Sequence, residues 1–179
     1  MRILNNKLDM DLNIRTEMDF PIKGIEFIDI NPLILQREVF KKITDFFVEE
    51  VKNKNVDYIV APEARGFLFG ASVADRINVG LIPVRKVGKL PPTTVEAQLT
   101  YEKEYGEDIL ELPKLVNDNY NKKRFYIIDD IYATGNTMNV IVDKIKELGG
   151  IVTGIGTVIN IVELNDNKDI FSIIDVNEE

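Results

Sequence analysis

Apolar residues recur at Val39, Phe40, Ile43, Phe46, Phe47 and Val51, with charged residues between them. That three-and-four spacing predicts an amphipathic helix over 36–52. The pattern then changes. Residues 57–61 (DYIVA) are a short apolar run of the kind that makes a buried strand. Residues 65–76 return to helical character, with small residues facing a partner. A second short strand follows at 81–84, and 124–129 (RFYIID) is the clearest strand of the chain. Helical spacing over 137–148 stops at Gly149-Gly150, a normal C-terminal signal. The runs 152–164 and 170–176 supply two more strands.

Strand and helix thus alternate from residue 57 onward. Alternation of this kind predicts an α/β fold with a mainly parallel sheet flanked by helices. Ligands in such sheets sit at the carboxyl ends of the strands, so the segments following the strands are where chemistry is expected. One stretch breaks the rhythm. Residues 86–105 contain Gly88, Pro91, Pro92 and three threonines, and show no firm period before 108–112. A loop of that length in a compact domain is expected to be a functional lid, taken here as 86–112.

Length and composition narrow the chemistry. The 179 residues fit a single domain, 1–179, with an ordinary globular balance of 45% hydrophobic and 29% charged residues. With no cysteine there is no disulfide and no thiolate metal site; with no histidine there is no Ser-His-Asp triad and no His-ligated zinc. Any metal must be held by oxygen, which favours magnesium or calcium. Acid–base work falls to Asp, Glu, Lys or Tyr. A formal net charge of −8 argues against a nucleic-acid partner. Residues 1–20 mix charges among their apolar positions, as a signal peptide does not, and no apolar run is long enough for a bilayer. The expectation is a cytoplasmic protein with no membrane partner.

The segment 126–137, YIIDDIYATGNT, carries the strongest chemical signal. An apolar strand ends in Asp129 and Asp130, and the turn Ala133, Thr134, Gly135, Asn136, Thr137 leads into a helix. Backbone N–H groups in such a turn, with the helix N-terminus behind them, make an anion site. Gly135 allows close approach of the backbone, and the hydroxyls of Thr134 and Thr137 add donors. The turn suits a phosphate and the acids suit hydroxyl donors, a pairing that describes a ribose 5-phosphate. The plainer alternative is that the acids only cap the helix, but two adjacent acids exceed what a cap needs. No G-x-x-x-x-G-K-[ST] loop exists in the chain. Four cations, Arg65, Arg85, Lys86 and Lys89, stand in and just after two predicted strand ends of an acidic chain. They suit an anionic group, although Lys86 also reads as solvated surface charge.

The DD-x-x-ATG-x-T element resembles the phosphoribosyl pyrophosphate (PRPP) signature of the type I phosphoribosyltransferases. Four further stretches resemble the adenine-specific branch of that family, in its order: Glu63-Ala64-Arg65-Gly66-Phe67, Val84 to Pro91 (VRKVGKLP), Glu104-Tyr105-Gly106, and Phe20-Pro21 with Gly24-Ile25, Phe27, Asp29-Ile30 and Pro32-Leu33. Together the matches cover roughly 20–164. The resemblance implies a type I phosphoribosyltransferase fold with a flexible catalytic lid, and a reaction that makes AMP and pyrophosphate from adenine and PRPP. Asp129 and Asp130 would hold the ribose hydroxyls, and Ala133, Thr134, Gly135, Asn136 and Thr137 would cradle the 5-phosphate. Arg65, Arg85 and Lys89 would clamp the pyrophosphate, with Lys86 nearby. Phe27 would stack on the purine, flanked by Glu26 and Ile28, within an N-terminal base-pocket segment spanning 1–35. Glu104 would handle the purine proton and Tyr105 would close over the site, with Arg65 assisting the leaving group. Mg²⁺ would arrive with PRPP, near Asp129 and Asp130, without a protein cage of its own. A homodimer is implied as well.

Four positions depart from the family pattern: Ile28 where Arg or Lys is common, Lys23 where Pro is common, Asn136 where a second glycine is common, and Pro62 before Glu63. The first leaves another purine as an alternative base. A PRPP-sensing regulator without turnover is the alternative outside enzymes, although some twenty residues before Phe20 are too few for a helix-turn-helix domain.

Overall fold

The structure, a computed structural model, describes residues 1–10, 12–103 and 106–177. Its central strand, β8 (Arg124–Tyr132), explains the arrangement. Its inward positions alternate, so that Tyr126 and Ile128 enter one core while Phe125 and Ile127 enter another. A strand buried on both faces needs cover on both sides, and two layers supply it.

Among the described residues eight strands share the sheet, in the order β1-β10-β9-β8-β4-β5-β7-β6. They are β1 (Arg2–Asn6), β4 (Tyr58–Pro62), β5 (Gly80–Lys86), β6 (Val95–Lys103), β7 (Gly106–Pro113), β8, β9 (Ile151–Ile161) and β10 (Ile170–Asn177). The five from β10 through β5 run parallel, with antiparallel strands added at both edges. A separate two-stranded sheet pairs β2 (Arg15–Met18) with β3 (Glu26–Asp29). The helices are α1 (Asn31–Leu35), α2 (Arg37–Val51), α3 (Gly66–Ile77) and α4 (Asn136–Glu147). The stripe read from sequence in α2 is the buried one: Val39, Ile43, Phe47 and Val51 all lie in the first core. Helices α2 and α3 cover that face, and α4 covers the other with Met138, Ile141 and Ile145.

Three expectations change. Residues 95–113 are a β-hairpin rather than an irregular stretch. Val95, Ala97, Leu99 and Tyr101 face inward while Glu96, Gln98 and Thr100 face out, a two-residue period masked in sequence by the small and polar members of the run. Leu99, Tyr101, Leu110 and Leu112 then complete the second core against α4. Strand β8 continues to Tyr132, so the paired acids lie within it rather than at its end. The N-terminal segment divides: β1 extends the main sheet beside β10, and only β2 and β3 form the small sheet near the expected base pocket.

Candidate active site

Parallel strands β4, β5 and β8 deliver their carboxyl ends to one edge of the sheet, where nearly all the sequence-derived candidates gather. Strand β8 brings Asp129 and Asp130 there. Asp130 is buried, at 4% exposure, and its N–H donates to Asp129 Oδ1 at 2.8 Å. Burial raises the Asp129 carboxyl well above its ordinary range. The neighbouring Asp130 charge adds to that rise, opposed in part by the Asp130 N–H and Arg65. Helix α3 begins hard against this pair. A Cβ on Gly66 would stand 2.8 Å from Asp129 Oδ1 and 3.0 Å from Pro62 Cδ, so only glycine lets the helix start there.

Arg65, just before Gly66, joins two parts of the site. Its Nε lies 2.7 Å from Asp130 Oδ2. Among the described residues no N–H is aimed well at that buried oxygen, so the contact is one of charge and leaves an acceptor open. On its other side Arg65 Nη1 donates to the Ile28 carbonyl at 3.3 Å, and the guanidinium sits 5.4 Å over the Phe27 ring. Phe27 also meets Phe20 edge-on at 5.1 Å. Ile28 points its side chain into the core, so only its backbone faces the site. Glu26 lies 3.8 Å from the N-terminal amine of Met1.

The remaining cations collect around Glu63. Arg85 Nε donates to Glu63 Oε2 at 3.0 Å and the Lys86 N–H donates to the same oxygen at 2.8 Å. The Lys86 N–H, then Arg85 and the nearby Lys89, hold the Glu63 carboxyl below its ordinary range against the opposing effect of burial. The side chains of Lys86 and Lys89 are exposed. The turn carrying them is pinned from β7, where the buried Glu111 accepts from the Gly88 N–H at 3.1 Å and from Gln98 at 3.0 Å. Sequence reading assigned no role to Glu63 or Glu111. For Glu111 the available signal was a lone acid within an apolar strand pattern.

Between β8 and α4 the turn is built as expected. Gly135 has φ of +82° and caps α4. A Cβ there would fall 2.2 Å from the hydroxyl of Tyr132, whose buried ring floors the turn. Thr134 and Asn136 are exposed, and Thr137 lies in the first turn of α4. Ala133 offers its carbonyl to Asn165. Glu104 and Tyr105 lie outside the described residues. Among the described residues no three acidic side chains converge on one point, and no helix is long and apolar enough to cross a membrane.

The phosphoribosyl transferase domain model matches residues 33–177. An adenine phosphoribosyltransferase of Clostridium acetobutylicum is 50% identical over 159 residues, covering 88% of this chain and 90% of its own. The crystal structure of an adenine phosphoribosyltransferase from Thermoanaerobacter pseudethanolicus superposes with a TM-score of 0.82 at 40% identity, covering 91% and 95% of the two chains. That of the Saccharomyces cerevisiae enzyme, complexed with an imino-altritol bisphosphate and adenine, superposes with a TM-score of 0.78 at 33% identity, covering 90% and 94%.

Proposed function

Because the chain belongs to the phosphoribosyl transferase family, as an adenine phosphoribosyltransferase of purine salvage, we propose the following division of labour among its residues. The reaction moves the ribose 5-phosphate group of PRPP onto adenine. The bond from the anomeric carbon to pyrophosphate breaks, a bond from that carbon to the purine nitrogen forms, and the nitrogen gives up its proton. The products are AMP and pyrophosphate.

Asp129 and Asp130 accept the ribose hydroxyls, and the open acceptor on Asp130 Oδ2 supports that assignment. The N–H groups of 133–137 and the hydroxyls of Thr134 and Thr137 hold the 5-phosphate. Arg65, Arg85 and Lys89 take the pyrophosphate, with Lys86 nearby. Phe27 stacks on the purine, flanked by Glu26 and by the backbone of Ile28. Glu104 takes the purine proton, and Tyr105 closes over the reacting atoms. The charge building on the leaving group is met by these cations, and the cationic character at the anomeric carbon by the paired acids. Paired hard oxygens at Asp129 and Asp130 fit a Mg²⁺ carried in with PRPP, which would neutralise part of the pyrophosphate charge. Exposed apolar side chains at Met18, Phe20, Ile22 and Leu35 support a homodimer.

One observation carries this reading: Arg65 touches the ribose acid Asp130 and the base-segment residues Phe27 and Ile28 together. Those contacts support base and sugar sites that lie side by side, as group transfer between them requires. The test is turnover with PRPP and Mg²⁺ against adenine, hypoxanthine, guanine and xanthine in turn, with nucleotides separated by chromatography. AMP from adenine alone is expected. Turnover of a different base instead would overturn the specificity, and absence of product from all four would overturn the activity.

A further inference from the structure

The segment after β9 makes contacts that no role described so far uses. Asn165 follows a short helical turn at the end of β9, and its side-chain amide is surrounded by oxygens. Nδ2 donates to the Ala133 carbonyl at 2.9 Å, to the Ile161 carbonyl at 2.9 Å and to Asn160 Oδ1 at 3.1 Å. Its own oxygen accepts from the Asn167 N–H at 3.3 Å, and Asn167 Nδ2 donates to the Tyr132 hydroxyl at 3.3 Å. The network runs deeper, since Asn160 Nδ2 donates to Asp175 Oδ1 at 3.2 Å, an oxygen that also accepts from Ser172. Both residues on which the turn rests, Ala133 as its first member and Tyr132 as its floor, are thus tied to one asparagine pair.

We propose that Asn165 is a positioning residue for the 5-phosphate turn. This rests on the phosphate assignment above. A trans peptide is planar, with its C=O and the following N–H pointing opposite ways. Fixing the Ala133 carbonyl on Asn165 therefore aims the Thr134 N–H away from Asn165, toward the side from which an anion enters. Asn167 steadies the Tyr132 ring beneath Gly135, and so the level at which the next N–H groups sit. The donors are held in place before the phosphate arrives, and ordering them costs nothing at the moment of binding. Asparagine suits the position because a single amide supplies two protons to several oxygens and an acceptor to the next backbone N–H.

The test compares N165A and N165D with the wild type, reading steady-state kinetics, thermal unfolding, and calorimetric binding of ribose 5-phosphate and of pyrophosphate. Losing the amide is expected to raise the KM for PRPP and the Kd for ribose 5-phosphate by about tenfold, the scale of a lost hydrogen bond to an anion-binding element. Pyrophosphate affinity, the KM for adenine and kcat at saturation are expected to stay within about twofold, a scale well below that of one hydrogen bond. N165D, which sets a carboxylate against three oxygens, is expected to be worse than N165A on the same two quantities. An unchanged KM for PRPP in N165A overturns the proposal. So does an equal loss of ribose 5-phosphate and pyrophosphate affinity, which marks a merely structural role. Failure of the wild type to bind ribose 5-phosphate is a different result, and it would bring down the phosphate assignment itself.

Discussion

Adjacent carboxyls at Asp129 and Asp130 are costly to bury together. Asp129 is raised above its ordinary range chiefly by burial and then by its neighbour's charge. A carboxyl whose folded pKa exceeds its unfolded value costs stability progressively as pH rises from the ordinary carboxylate range toward the folded value. Asp129→Asn keeps the shape and removes the charge. It is expected to raise Tm at pH 7, by about 2–4 °C for each kcal/mol relieved in a chain this long, while PRPP binding weakens. Asp130→Asn removes the partner of Arg65 as well as the proposed ribose acceptor, and is expected to cost about tenfold or more in PRPP affinity by calorimetry. If both variants bind PRPP as the wild type does, the acids do not hold the ribose. These acids were readable in sequence as a pair facing hydroxyl donors. Their mutual repulsion was equally local, but its size was not, because burial depends on strands β4 and β9 on either side of β8.

Among the elements, the turn from β8 into α4 is the one whose geometry the residue types dictate most directly. Gly135 meets two demands: a φ of +82°, and a Cβ that would strike the Tyr132 hydroxyl at 2.2 Å and its ring carbon at 2.6 Å. Left-handed backbone costs a non-glycine residue about 1–2 kcal/mol, and the ring beneath it is buried and has little room to yield. Gly135→Ala is therefore expected to raise the KM for PRPP at least tenfold with a lesser effect on the KM for adenine, measured in the same kinetic assay. Wild-type kinetics would mean that the turn does not approach the phosphate closely. The hairpin β6–β7 is the contrasting case. Its alternating pattern was present in the chain, yet Ala97, Thr100 and two leading prolines made the run look irregular. What makes it a hairpin is the second core, where Leu99 and Leu110 meet α4. Its base is therefore part of the packed sheet.

At the scale of the molecule, two cores lie on opposite faces of one sheet and share its strands. Tyr126 and Ile128 serve one, Phe125 and Ile127 the other. Neither face can lose its packing without exposing the same strand, so thermal unfolding is expected to be a single transition by calorimetry and by far-UV circular dichroism alike. PRPP at a hundred times its Kd is expected to move that transition upward as a whole, by the equivalent of about 2.7 kcal/mol. Two separated transitions would show that the α4 face unfolds independently. By itself the sequence determined the α/β class, the stripe of α2, the presence of strands near 57–61 and 124–129, and the strand–turn–helix that carries DD-x-x-ATG-x-T. Each element is written within a dozen or so consecutive residues, by side-chain periodicity or by the backbone freedom of a glycine, and the class by the alternation of those elements along the chain. Tertiary structure alone decided that Arg65 reaches the Ile28 carbonyl 37 residues away, and that Asn165 reaches the Ala133 carbonyl across 32. It also decided that Glu63 draws Arg85 and the Lys86 N–H together from the next strand. Such contacts depend on which strand lies beside which, and that order is set by the burial of whole faces rather than by any short run of residues.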